Sequence, residues 1–170
     1  MRGLTAFSGE IVSSSLVGIK GVWEVVGTAC TPENMRGGFL EFLCYFLHCI
    51  DRVAFAALGP DGRGRVMDAV VYAVTTFADE SGMPDLTRQQ IVRRYNERNA
   101  QYEPCRLAAE GNKGLAGTLV WEFGKNVAAS CGKPMDMVVI TTASHIGNTL
   151  FGELNALECV RAVSSHYPDD

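Results

Sequence analysis

Two short stretches carry residues whose types and spacing suit chemistry. In EFLCYFLHCIDR, residues 41–52, His48 alone breaks a run that is otherwise apolar from Phe42 to Ile50, and Asp51 follows three positions after it. In ASHIGNTLFGE, residues 143–153, His145 and Asn148 repeat that spacing, Glu153 follows, and Thr141 and Thr142 stand just before. Residues three apart share a helix face, and Glu41 lies two turns before His48 on the same face. Were both stretches helical and packed together, His48, Asp51, His145 and Asn148 would meet. A histidine and a carboxylate from facing helices is how bundles build metal and acid/base centres. Such a histidine also gains from a carboxylate on its second nitrogen, a place open to Asp51. The candidate catalytic set is His48, Asp51 and His145, with Glu41 or Glu153 as further carboxylates. The candidate set for a divalent metal ion is His48, Asp51, His145 and Glu153.

The same residues admit a purely structural reading. Buried polar groups are normally hydrogen-bonded, so His48 and Asp51 would sit in a network that fixes helix register or an interface, with Asp51 paired to Arg52 or Arg63. The Glu-x-x-His pairs of carboxylate di-iron bundles are absent from both stretches. Weaker signals lie elsewhere. GPDGRGR (59–65) and AAEGNKGLAG (108–117) are Gly-rich and basic, but neither matches a phosphate loop. Cys131 stands two residues before Lys133, which would lower its thiol pKa on an exposed loop. No G-x-S-x-G elbow occurs. Tyr45, Phe46 and Trp121 are the residues that a pocket for haem or another hydrophobic small molecule would use.

The totals bound what these residues can serve. The chain has 170 residues, which fits one domain spanning 1–170, with fraying expected over 1–8 and 165–170. Its net charge is −4, and the one basic cluster, Arg88, Arg93, Arg94 and Arg98, reads as a solvated helix face rather than a nucleic-acid footprint. Hydrophobic residues make up 47% of the chain, and the mean hydropathy is +0.07. That apolar excess suggests a self-association surface or a greasy pocket. The six cysteines form no C-x-x-C and no zinc spacing, which fits reduced thiols in the cytoplasm. The longest apolar run stops at Asp51 and Arg52, short of the roughly 18 residues a membrane span needs.

The elements that must position the candidates follow from periodicity. Residues 11–26 carry an apolar stripe at Val12, Leu16, Ile19, Trp23 and Val26. Thr31, Pro32 and Glu33 start a central helix that should run to Leu58, ended by Gly59 and Pro60. Its middle is apolar all round, as a helix buried on every side requires. After a turn at GPDGRG, a helix is expected over Val66–Phe77. Thr87 with Gln90 forms a capping box for a charged helix over Arg88–Tyr102. Leu115, Leu119, Phe123 and Val127 predict a helix within Cys105–Val127. Met135 to Val163 keeps a four-and-three period throughout, so MVVITTA is read as helix despite its β-branched residues.

The expected fold is therefore all-α: a compact single-domain bundle of about six helices around two long buried ones. No catalytic motif is complete while apolar surface is in excess. The leading reading is therefore a cytoplasmic, oligomeric protein-interaction or scaffold domain, a homodimer by preference, with no cofactor, nucleic acid or membrane span. The alternatives are a metal-dependent or acid/base enzyme at His48, Asp51 and His145, and a carrier of a hydrophobic molecule.

Overall fold

The computed structural model describes residues 3–27, 31–80, 86–107 and 114–165. Cys30, residues Ser81–Pro84, Gly111 within the Gly-rich stretch, and the tail beyond Ser165 lie outside these residues. Six helices and no strand occupy the described residues, an all-α bundle. They are α1 (Leu4–Val26), α2 (Pro32–Glu80), α3 (Arg88–Tyr102), α4 (Leu119–Ser130), α5 (Met137–Glu153) and α6 (Ala156–Ser164). The start of α1 at Leu4, with Phe7 buried, falls inside the stretch expected to fray.

The helix α2 organises the rest. Thr31 caps its start, Oγ1 accepting from the Asn34 amide at 3.1 Å. The segment from Phe39 to Ile50 is buried without exception. Gly59 has φ 69° and ψ −175°, a conformation in which only glycine is at ease, and it divides α2 into arms 32–58 and 60–80. The expected turn at 59–64 thus contracts to one residue. Pro60 needs no amide partner at the first position of a helix, so the second arm starts at once. Gly62 assists, since a Cβ there would lie 2.7 Å from Cβ of Leu58.

Glycines also set how closely α1 approaches. Gly18 lies against the ring of Phe42, and Gly38 of α2 lies against Ile19; a Cβ at either position would overlap its neighbour. These glycines weaken their helices locally and are kept by this contact.

Two expected helices are shorter than their periodicity suggests. The one read over 105–127 begins only at Leu119, behind the Thr118 cap. Gly114 and Gly117 have φ of 61° and 74°, and Leu115 is exposed, so the stripe's first member lies outside any helix. The segment 135–163 is two helices. Asp136 caps α5 by accepting from the Val138 and Val139 amides, and Asn155, left-handed at φ 49°, separates α5 from α6. Asn tolerates that conformation better than most residues. The apolar period runs on because Leu154 is buried at the break, yet Leu157 faces solvent.

The helices α4 and α5 form a hairpin, with Gly124 against Ile140 and Ser144, and Ser144 Oγ donating to the Val120 carbonyl at 3.0 Å. Its apolar face closes on α2 through aromatic rings. Phe123 stacks on Tyr45 at 4.2 Å and meets Phe42 edge-on at 4.9 Å, and Phe151 lies against Phe46 at 6.4 Å.

By length and composition alone α2 is apolar enough to cross a membrane, with Asp51 and Arg52 interrupting its apolar run. In this fold 61% of its most apolar window is buried by the other helices, as in the core helix of a bundle.

Candidate functional site

One stripe of α2 is polar, and it runs through Glu41, His48, Asp51 and Arg52 beneath α3. The helix α3 buries only Ile91 and Tyr102 fully, so polar contacts do much of the work of holding it. At the N-terminal end of the stripe Glu41 is completely buried. Arg98 donates to it twice, Nε to Oε2 at 2.6 Å and Nη2 to Oε1 at 2.7 Å, and Arg94 Nη1 donates to Oε1 at 3.0 Å. A buried carboxylate requires such compensation. Arg94 and Arg98 therefore do not belong to a solvated face; Arg93, paired with Glu97 and 81% exposed at its side chain, does.

Two helical turns further along, His48 has both ring nitrogens engaged. Nδ1 lies 2.6 Å from Oδ1 of Asn99, and Nε2 lies 3.1 Å from Nε of Arg52. Arginine can only donate, so Nε2 must accept. The ring is then neutral, with its proton on Nδ1 and donated to Asn99. Burial is the main force holding the His48 pKa below the ordinary histidine value; the Asn99 hydrogen bond works the other way, and the Arg52 charge adds to the lowering. The same Arg52 caps the C-terminal end of α3, Nη2 donating to the carbonyls of Glu103 at 2.7 Å and Tyr102 at 3.3 Å.

Asp51 points toward the second arm of α2. Arg63 clamps it in a bidentate pair, Nε to Oδ1 at 2.7 Å and Nη2 to Oδ2 at 2.8 Å, so one ion pair braces the arms across the Gly59 kink. The hydrogen bond to Asp51 is what chiefly raises the Arg63 pKa. His48, Asp51, Arg52, Arg63, Asn99 and Phe55 line a cavity of about 240 Å³ in the crook of the kink.

The second half of the expected centre is elsewhere. His145 and Glu153 are exposed on α5. Asn148 does reach α2, but its partner is Tyr45, whose hydroxyl donates to Oδ1 at 2.7 Å. Among the described residues no three His, Cys, Asp or Glu side chains gather as a metal site would need. His48 and Asp51 are thus neighbours on one helix with separate partners. The helices α2 and α5 meet through aromatic rings and Tyr45, which leaves the His145 side outward.

The other candidates resolve in the same way. Cys131 is buried, so the exposed thiol beside Lys133 does not exist. Residues 60–65 of the first Gly-rich stretch are helical rather than a phosphate loop. The space around Tyr45 and Phe46, where the carrier alternative would place its ligand, is filled by Phe42, Phe123 and Phe151. Burial pushes the Cys44 and Cys49 thiols up, Cys49 to about 12. Sequence reading passed over Asn99, set Arg94 and Arg98 on a solvated face, and offered Arg52 to Asp51 rather than to His48. Their signal was the demand itself: a Glu and a His inside an apolar helix must find polar partners.

No protein family, curated protein or solved structure matches the chain.

Proposed function

We propose that this chain is a self-associating helical interaction domain, a homodimer, working in the reducing cytoplasm as a structural part rather than as a catalyst. One observation carries the reading: four large apolar side chains are exposed toward one end of the bundle. The helix α1 folds back along the first arm of α2, with Ile19 against Gly38. The helix α5 runs with that arm, Tyr45 bonding Asn148 and Phe46 facing Phe151. The end of α1 and the start of α5 therefore lie together, and there Val25 is 59% exposed, Met135 64%, Met137 52% and Val138 59%. Four large apolar side chains left this open at one end invite a partner, and methionines adapt readily to a second surface. The polar stripe of α2 supports the same reading, since each of its charged or ionisable groups is committed to an internal partner.

Sedimentation velocity on the full chain at micromolar concentration tests this. The wild type should sediment at twice its 18.4 kDa mass. The Met137→Asp/Val138→Asp double variant should sediment as a monomer with unchanged helicity. A wild type that stays monomeric across the concentration range would sink the proposal.

A further inference from the structure

We propose that His48 and Arg52 form an acid-sensitive latch that holds the C-terminal turn of α3 and the strap 103–107 against α2. The geometry allows one protonation state. Arg52 Nε donates into His48 Nε2, and the same guanidinium donates onward through Nη2 to the Glu103 and Tyr102 carbonyls. A proton on Nε2 would replace an acceptor by a donor 3.1 Å from Arg52 Nε. It would also set an imidazolium beside a guanidinium. The arginine must then swing away, and the end of α3 loses its cap. The rest of α3 stays anchored, because Arg94 and Arg98 hold Glu41 independently.

The groups facing His48 favour this outcome. On α2 these are Asp51, Arg52 and Arg63. On α3 they are the neutral Asn99 and the Tyr102 ring, whose centroid is 5.5 Å from that of the imidazole, with Glu103 just beyond. The two carboxylates would welcome a cation, but Asp51 is committed to Arg63 and Glu103 is exposed. Protons reach the ring through the cavity in the kink, whose wall includes His48 and the exposed Phe55.

The direction in pH follows. The latched state prefers neutral His48, so its folded pKa lies below that of the released residue, about 6.5. The latch holds fully above about pH 6.5 and weakens as pH falls from there toward the lowered value. Over that window the ratio of latched to released chain drops about tenfold for each pH unit. This device does not depend on self-association.

NMR of the full chain with labelled histidines, titrated from pH 7.5 to 4.5, tests it. At the upper limit His48 should show the Nδ1–H tautomer. On acidification the amide signals of 99–107 should move with the His48 midpoint, below 6.5, while those around Glu41 stay fixed. In His48→Gln, which cannot titrate, that movement should vanish. In Arg52→Gln, which removes the opposing cation, the His48 midpoint should rise. If 99–107 move unchanged in His48→Gln, or stay still while His48 titrates, the latch does not exist. Should His48→Gln fail to fold, an unaltered His48 midpoint in Arg52→Gln would overturn it equally.

Discussion

Arg98 of α3 grips the buried Glu41 of α2 with two nitrogens, at 2.6 and 2.7 Å, and is itself steadied by Gln101, which accepts from Nη1 at 3.0 Å. This pair, with Arg94, is the strongest polar tie between α3 and the bundle. Removing one partner of a buried ion pair strands the other charge, which costs about 3–5 kcal/mol. Because Arg94 remains, Arg98→Met should lose about 3 kcal/mol in urea denaturation. Arg93→Ala, which breaks only the exposed pair with Glu97, should change stability by less than about 0.5 kcal/mol. Equal losses for the two variants would show that Glu41 does not depend on Arg98.

How much of this was legible follows from the kind of signal each part leaves. The bounds of α3 were readable because a reciprocal Thr87–Gln90 box marks its start: Gln90 Oε1 accepts from the Thr87 amide and Thr87 Oγ1 from the Gln90 amide. The core segment of α2 was readable because an unbroken apolar run has nowhere to go but inside. Apolar period failed at Asn155 and Leu115, where it continues through backbone that is not helical. Periodicity records burial, and a buried residue at a break, such as Leu154, keeps the beat. The His48–Asp51 pair was visible as an anomaly. The Asn99 partner of His48 was not, since it is 51 residues away and nothing in local spacing couples the two. Arg52 and Arg63 were both nameable as cations close after Asp51, and the kink at Gly59 is what makes Arg63 the partner.

The Gly59 kink gives a second prediction. At φ 69° and ψ −175° a Cβ is strained whatever room surrounds it, although nothing crowds that position. Gly59→Ala should therefore lose about 2 kcal/mol through backbone strain alone. Asp51→Asn should also destabilise the fold, because it removes the charge facing Arg63 across the kink. Thermal denaturation of both variants reads the effect. A Gly59→Ala variant as stable as the wild type would mean that the two arms can join without the left-handed residue.

Helical glycines should divide by what lies above them. Gly18 sits under the Phe42 ring, so Gly18→Ala must displace an aromatic core residue and should destabilise by about 1–3 kcal/mol. Gly152, near the end of α5, has open space where its Cβ would be. Gly152→Ala should stabilise the protein by up to about 1 kcal/mol, the difference in helix propensity. The melting temperatures should move in opposite directions. A rise in melting temperature for Gly18→Ala would contradict the close packing of α1 on α2.

The thiols supply the last prediction. Burial raises the Cys44 pKa far above the ordinary thiol value and that of Cys49 to about 12, while Cys105, half-buried near Glu122, is raised mainly by its partial burial. The thiolate is the reactive form, and a raised pKa keeps the group protonated until pH passes the higher value. At pH 8 Cys44 and Cys49 should thus resist iodoacetamide in the folded protein, and their alkylation should track global unfolding in urea. Cys105 should react first among these three, since its sulfur lies near the surface at the strap. Peptide mapping by mass spectrometry after timed alkylation separates the sites. Rapid labelling of Cys44 in the native protein would show that the core of α2 opens without unfolding, and that the packing around Glu41 is looser than the structure has it.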